Sequence, residues 1–561
     1  MEKDNNNEPI GQDTPLVSVL IPVYNGENYI KDAIISVLKQ TYDNFELLIV
    51  NDGSTDNSVN KALEYKTDKV TIYSKAHNGI SEALNVGIRR CKGKYIARLD
   101  ADDLMYLNRL EIQVDYMEKH PECDILSTGC DILMSDGNGK RFNPTPGVIT
   151  KTELINSNNL VHSTIMFRKD SLIKLPCIYE SMYDGCEDYK LYLNAVSHGL
   201  TIHSISTPTT IYRNDRNQLQ SALNNNKLKI DRIKRAYTNI NKGELTCIIT
   251  FCNEGVEIEK TVNSIRATAN NVNILLINDS STDNYDYESI AKLYDCKYIT
   301  TPTNLGVAEA RNFAINNCDT EYFVILDGHM RFYDDAWDDK LLAYLKKHKK
   351  SIICSCSSII STSEEGEYFN EKGTENTSLG KGAVVEFTKP NQLFAAKQVL
   401  TSFTKKELIK IPCILGAVYA SNKTWWNYIG GLKGLVSYGG DESLLSIKTF
   451  LAGGYCYLIN DWAVGHVYRT NYPYNKPKIK ELFNILYLIK LFAPNNKVKQ
   501  LVKTYKNCIG DNNFDEISKL FNQNIKEFNK IKKHLTSISV KSFNDFIKFN
   551  AEYIYKLYLN I

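Results

Sequence analysis

The sequence contains the same pattern twice, one copy far behind the other. Asp52, in Ile-Val-Asn-Asp-Gly-Ser-Thr-Asp, has a counterpart in Asp279, in Ile-Asn-Asp-Ser-Ser-Thr-Asp, and 279 − 52 = 227. Gly79 and Gly306, Asn85 and Asn312, and Asp100 and Asp327 keep that spacing. Solenoid repeats recur every ~20–50 residues, so a period this long means two whole domains of one fold in tandem. A chain of 561 residues has room for both and for a further segment.

Each copy contains a short apolar run that ends in potential ligands. Lys94-Tyr-Ile-Ala-Arg-Leu-Asp100-Ala-Asp102-Asp103 predicts a buried strand over Tyr95–Arg98 with three carboxylates at its end. Carboxylates this close repel one another unless a cation or water compensates them. Hard divalent cations take oxygen ligands in this way and keep one side for substrate phosphates. The second copy, Glu321-Tyr-Phe-Val-Ile-Leu-Asp327-Gly-His329, puts a histidine where Asp102 stood.

In chain order, residues 1–15 are polar and expected to fray. Val17-Ser-Val-Leu-Ile-Pro-Val predicts a strand closed by Pro22-Val-Tyr-Asn-Gly26. Ile30, Ile34, Val37 and Leu38 follow at helical spacing, and Phe45–Val50 predicts the next strand. Apolar strands separated by a helix form a βαβ unit of a parallel sheet covered on both faces. Ligands of such sheets sit beyond the carboxyl ends of the strands. Tyr24-Asn25, Asp52 and Asp100-Ala-Asp102 all lie there, so three turns converge on one crevice.

Composition narrows the function. With 43% hydrophobic and 24% charged residues the chain is globular, and a net charge of +2 argues against a nucleic-acid binder. From Asn475 to Ile561 there are 16 Lys and 7 acidic residues, so this tail carries +9 and the remainder −7. The fourteen cysteines include no Cys-x-x-Cys pair and suit reduced, buried thiols. With no signal peptide after Met1 and no apolar run of membrane-spanning length, the expected setting is cytoplasmic.

Pro22-Val-Tyr-Asn, Asn51-Asp-Gly-Ser-Thr-Asp, His77-Asn-Gly, Leu99-Asp-Ala-Asp-Asp and Glu187-Asp188, in that order over about residues 16–215, resemble the family 2 glycosyltransferases of GT-A fold. The resemblance implies an α/β fold of two tandem GT-A, Rossmann-like domains followed by a helical C-terminal region. It implies a nucleotide-sugar donor, most simply a UDP-sugar, with Asp52 on uracil, Asp100 and Asp102 on ribose and metal, and Asp188 as the base of an inverting transfer. Pro22, Tyr24, Asn25, Asn78 and Arg98 match the donor side. A helix start would help keep Asp188 ionised, and Glu187-Asp188 could equally serve only to stabilise that helix end. His162 matches an acceptor-side segment and equally suits a satisfied core histidine.

Asn217–Lys242 predicts an amphipathic connecting helix on Leu219, Leu223, Ile230 and Ile233, with the domain boundary near 240. The second copy, over about 245–470, then departs from the first. Asp327-Gly-His329, Tyr438-Gly-Gly-Asp441-Glu442 and Gly465-His466-Val-Tyr-Arg469 resemble the polypeptide N-acetylgalactosaminyltransferases. By that resemblance Asp327, His329 and His466 bind a metal, with Mn²⁺ favoured over Mg²⁺ by the imidazoles. Asn253, Asp279 and Arg311 would serve the donor, and Asp441 with Glu442 the chemistry. Tyr438 and Asp441 stand where that family has Trp and Glu, and the loop also resembles the Gly-Gly-Glu-Asp of inverting chondroitin- and galactosyl-transferring enzymes. Retention or inversion at this site stays open.

The expected organisation is therefore 1–240, 241–475 and a basic helical tail, 476–561. In the tail Leu482, Ile485, Leu486 and Ile489 form one apolar face, fit either for an anionic membrane surface or for packing on the second domain. The acceptor would be a glycan, a lipid-linked sugar or a protein. The alternatives are one active domain beside a binding copy, a sugar-binding scaffold, and a nucleotidyltransferase. The last lacks its glycine-rich phosphate loop here.

Overall fold

The computed structural model describes residues 15–134, 139–214, 216–238, 240–363, 366–369, 382–399, 407–467 and 478–559. The chain forms two compact units, the first ending at Lys234 and the second beginning at Arg235, within the helix Arg216–Thr238. The side chains of Leu219 and Leu223 lie outside the described residues; Ile233 is buried.

The first unit is built on β1 (Val17–Val23), β2 (Phe45–Asp52), β3 (Val70–Lys75), β4 (Tyr95–Arg98) and β5 (Leu104–Met105). Chain order continues with β6 (Ile125–Met134), β7 (Gly139–Phe142), β8 (Gly147–Ile149), β9 (Met166–Arg168) and β10 (Ile202–Asn214). The sheet order is β3-β2-β1-β4-β9-β6-β10-β5, with β7 beside β6 and β8 beside β10. β1 is buried at all seven positions, which is why its sequence is apolar everywhere but Ser18 rather than alternating. It spans the expected Val17–Val23 and carries Pro22 inside the sheet opposite Val50. Val17 pairs with both Phe45 and Tyr95, so β1, β2 and β4 start level and their carboxyl ends open together. The helix Ile30–Leu38 covers one face through Ile30, Ala33, Ile34 and Val37.

The second unit repeats the plan. Its strands are β11 (Leu245–Phe251), β12 (Val272–Asn278), β13 (Lys297–Thr300), β14 (Tyr322–Leu326), β15 (Met330–Phe332) and β16 (Ser351–Ser363). They continue with β17 (Gly366–Phe369), β18 (Ala383–Val385), β19 (Ala396–Gln398), β20 (Leu408–Ile411), β21 (Val418–Asn422) and β22 (Tyr455–Val467). The order β13-β12-β11-β14-β21-β16-β22-β15 matches the first sheet strand for strand. Two mixed, Rossmann-like sheets in tandem are thus the fold. The spacing is 228 at the first strands (245 − 17) and 227 at the second (272 − 45), so the intervening connection is one residue shorter in the second copy.

The helical C-terminal region does not stand apart. Helices Lys478–Phe492, Asn495–Ile509, Asp511–Gln523, Ile525–Ile538 and Phe543–Leu559 contribute Leu486, Ile489, Tyr505, Phe521, Phe546 and Tyr553 to the same apolar core as Ile411, Trp425 and Phe450. Of the face that suited either a membrane or a protein surface, Leu486 and Ile489 are fully buried, and Leu482 and Ile485 pack against that core. That face is therefore occupied by the second domain. Among the described residues no helix is long and apolar enough to cross a membrane. No disulfide joins any of the cysteines.

Candidate functional site

In both domains a buried aspartate beyond the second strand closes the loop ahead of a helix. Asp52 Oδ1 accepts from Lys75 Nζ (2.7 Å) and the Asn78 N–H (3.0 Å). Its Oδ2 accepts from the Gly79 N–H (2.9 Å) and lies 2.9 Å from His77 Nδ1. Asp279 takes the Leu305 and Gly306 N–H groups at 2.7 and 2.8 Å and the Thr301 hydroxyl at 2.9 Å. Gly79 and Gly306 have φ of 94° and 78°, and added Cβ atoms there would meet Asp184 and the Ser437 backbone. Glycine is needed on both counts. A carboxylate offers about four acceptor positions. Those of Asp52 are taken up by protein donors, so it holds the loop while the half-exposed Tyr24, stacked on His77 at 4.0 Å, faces outward.

Asn25 and Asn253, both with positive φ, accept the N–H groups of Thr55 and Thr282 at 2.8 and 2.6 Å. The first two strand ends are tied together in the same way in each copy.

The third strand end is where the copies part. In the first domain Asp100, Asp102 and Asp103 each bring a carboxylate oxygen within 4.8 Å of the others. Arg98, buried at the end of β4, donates to Asp100, and the Asp100 N–H donates to Ser163 Oγ at 3.0 Å. Asp103 is fully buried, accepts the Arg213 N–H at 2.8 Å, and keeps an Oδ2 without a hydrogen-bond partner among the described residues. Burial, then the charges of Asp100 and Asp102, push its carboxyl well up. Behind the loop, Arg109 donates to the carbonyls of Ser163 (2.7 Å) and Arg98 (2.8 Å).

Glu187 and Asp188 open the helix Glu187–Ser197. Burial, then its neighbour's charge, pushes Glu187 up to about 7; burial also raises Asp188, whose Oδ2 accepts from Asn158 at 3.1 Å. The charges of Arg98, Glu187, Asp188 and Asp100 all bear on the buried Tyr179 hydroxyl, which places strand end and helix start in one neighbourhood. His162 Nε2 meets that hydroxyl at 2.8 Å, and burial keeps the ring neutral.

In the second domain Asp327, His329 and His466 bring one ligand atom each within 4.8 Å. Residues 327 and 466 are 139 apart in sequence (466 − 327) and meet because Met330 on β15 pairs with His466 on β22. His466 Nε2 lies 3.5 Å from Asp327 Oδ2. Burial opposes the charge on Asp327. The His466 contact and the Arg311 guanidinium outweigh burial and hold it at about 2. Arg311 donates to Asp327 at 2.7 Å and to Asp441 at 2.5 Å, bridging the strand end and the helix Asp441–Leu451. Burial, then Asp441, push Glu442 well above the usual carboxylate range. Asp327, His329, His466, Arg311, Asp441 and Glu442 line one cavity of about 340 Å³ with Glu254, Asp279, Gly306 and Tyr438. Arg469 lies outside the described residues.

The family profile of glycosyl transferase family 2 matches residues 18–175 and again 246–397, more than half of the chain. The chain belongs to family 2. It is a glycosyltransferase carrying that domain twice. An uncharacterized glycosyltransferase of Rickettsia felis is 27% identical over 536 residues, covering 84% of this chain and 86% of its own. Among solved structures, GalNAc-T7 with UDP, GalNAc and Mn²⁺ is 21% identical with a TM-score of 0.45, covering 56% of this chain and 58% of that one. TarS of S. aureus in complex with UDP is 20% identical with a TM-score of 0.33, covering 39% and 64%.

Two supporting residues of this family 2 enzyme escaped the sequence reading. Glu254, beside Asn253, sits 3.2 Å from His329 Nδ1, where it would fix the ring's tautomer and orientation. Asn484, on the first tail helix, accepts the Val436 N–H at 2.9 Å and donates to the carbonyls of Val436, Tyr438 and Gly439. It thereby shapes the loop in front of Asp441. Glu254 was recoverable from its place next to Asn253 at a strand end; nothing near Asn484 in sequence pointed to the loop.

Proposed function

We propose that the two domains, residues 1–240 and 241–475, are separate active sites that transfer sugars from nucleotide-diphosphate donors, UDP-sugars in the simplest case, to a growing glycan, a lipid-linked sugar or a protein. The observation that carries this reading is that each copy has its own complete and chemically different ligand set at the same strand end. Asp100, Asp102 and Asp103 form an all-oxygen set suited to Mg²⁺ or Mn²⁺, and the partnerless Asp103 oxygen fits a cation there. Asp327, His329 and His466 offer one carboxylate and two imidazoles, a set that leans to Mn²⁺. A bound cation would supply neutralisation of the charge gathering on the departing diphosphate.

In the first domain Asp188 takes the proton of the acceptor hydroxyl as that oxygen attacks the anomeric carbon and the nucleotide leaves from the opposite face, inverting the configuration. Arg98 orients Asp100, and Arg109 holds the carbonyls behind it. Asp52 fixes the loop beside Tyr24, whose ring is the group available to stack on a base. In the second domain Asp441 accepts from Arg311 and burial raises Glu442 above the usual carboxylate range; these two carboxyls, beside the metal set, are the groups available for the chemistry there, whether it retains or inverts configuration.

The test is nucleotide release and product anomeric configuration for a panel of nucleotide sugars, with Asp188→Asn and His466→Ala proteins examined separately. Each variant is expected to lose one transfer and keep the other. Loss of both activities in either variant would mean one shared reaction. Loss of neither in His466→Ala would reduce the second domain to a binding module.

A further inference from the structure

A second cluster of metal-ligating side chains lies in the first domain, at the opposite end of the sheet from the catalytic carboxylates. The helix Arg109–Lys119 ends, a tight turn carries His120 and Glu122, and β6 begins at Ile125. Ile125 pairs with Ile202 at the start of the parallel strand β10, which brings His203 beside that turn. One ligand atom from each of His120, Glu122 and His203 lies within 4.8 Å of the others, although 83 residues separate the two histidines (203 − 120).

Two further observations separate this cluster from a chance surface ion pair. His203 is only 5% exposed, yet its Nε2 has no hydrogen-bond partner among the described residues. A buried, unsatisfied ring nitrogen costs stability unless something binds it. Its other nitrogen, Nδ1, meets the Tyr116 hydroxyl at 3.0 Å. With Nδ1–H donating to that oxygen, the lone pair is left on Nε2, the arrangement by which outer partners prepare a histidine for metal. The ring of His120 stacks on Tyr116 at 4.2 Å while its Nδ1 sits 3.1 Å from Glu122 Oε1. Tyr116 thus supports both rings. The neighbouring Cys123 is not part of the set: its thiol donates to the Ile125 carbonyl, and burial pushes it up to about 12.

We propose that His120, Glu122 and His203 bind a borderline divalent cation of the Zn²⁺ class, distinct from the cation of either transfer site. Two imidazoles and one carboxylate suit Zn²⁺, Co²⁺ or Ni²⁺ far better than Mg²⁺, and three protein ligands leave a position for water. The ion would clamp the end of the helix Arg109–Lys119 to the start of β10. That helix also carries Arg109, which holds the carbonyl of Arg98, so the clamp would steady the frame behind the first site.

The experiment uses the full chain with His329→Ala and His466→Ala, so that the second domain's imidazoles do not contribute. Titration with Co²⁺, read by its visible absorption and then displaced by Zn²⁺, should show one equivalent bound through nitrogen ligands, together with a rise in unfolding temperature. His120→Ala changes a partly exposed turn residue and should fold normally, as judged by circular dichroism, while losing that equivalent. Tyr116→Phe, which keeps the packing and removes the hydroxyl, should weaken binding by ~10–100-fold. Absence of the nitrogen-ligated equivalent from the starting protein, or its persistence unchanged in a folded His120→Ala protein, would overturn the proposal.

Discussion

The two domains keep the residues that shape the backbone and exchange most of those gathered at the third strand end. Asp52 and Asp279 accept the same pair of N–H groups, ahead of glycines that both need positive φ. At the third strand end only the first aspartate, Asp100 or Asp327, and its pairing with an arginine survive. The first domain uses Arg98 from the strand itself, the second Arg311 from a helix. Three clustered carboxylates in one copy face an aspartate with two histidines in the other. The change of ligand is not local. A histidine at 329 comes with Glu254 on its Nδ1 and with His466 arriving from β22. The lesson is that backbone-shaping contacts are shared over the whole repeat, whereas a ligand set changes together with its supports.

The largest effect expected from breaking this comparison is at Asp188. With the second site disabled, Asp188→Asn should keep donor binding and lower turnover by ~10²–10⁴, the usual worth of a general base. Because burial raises Asp188, the rate should fall as pH drops through a value above the ordinary carboxylate range, where the base takes up its proton. A pH profile flat down to the usual carboxylate range would remove this role.

Next comes the cation. His466→Ala should lower the second site's Mn²⁺ affinity by more than the ~10–100-fold that loss of an outer-shell partner costs. The first site should keep its ranking of Mg²⁺ and Mn²⁺. Measuring both transfers across the two cations checks this, and identical rankings would show that the substitution of histidine for Asp102 is without chemical consequence.

A smaller effect belongs to Asn484→Ala, which leaves one N–H and three carbonyls of the 436–439 loop without their partner. It should cost about 1–3 kcal/mol of second-domain stability and slow only the second transfer. Calorimetry with paired activity assays separates the two.

A pH slope comes last. Burial, then the charge of Lys433, push Lys448 down to about 7 from 10.5. Between those values the unfolded chain holds a proton that the folded domain has shed, so stability should rise with pH there, by at most about 1.4 kcal/mol per pH unit. Lys448→Met should remove that slope in melting curves of the second domain.

Much of this was legible in the sequence, for a physical reason. Strands buried on both faces are continuously apolar, and carboxylates gathered at their ends stand out against that background, so β1, β2, β4 and their turns could be located. The repeat then placed Asp327 and His329 by analogy. The tail's apolar face was visible as well, but amphipathicity does not say what covers it. Asn484 was invisible because its partners are backbone groups of a loop that only folding brings near. The engagement of Asp52 by its own loop was equally hidden, since a sequence shows a carboxylate and not how many donors surround it.

The merging of the tail into the second domain's core has a consequence for biosynthesis. The first domain's strands are all present once Asn214 has been made. The second cannot close its core until Tyr553, because Asn550 bonds both backbone groups of Val385, Phe549 stacks on Phe450 and Phe546 meets it edge-on. The 86 residues from Val467 to Tyr553 (553 − 467) take roughly 4–17 s to synthesise at ~5–20 residues per second. Throughout that interval the surface around Ile411, Trp425 and Phe450 is exposed on the ribosome. A stop codon in this stretch would spare the first domain and deliver the second as an aggregation-prone fragment.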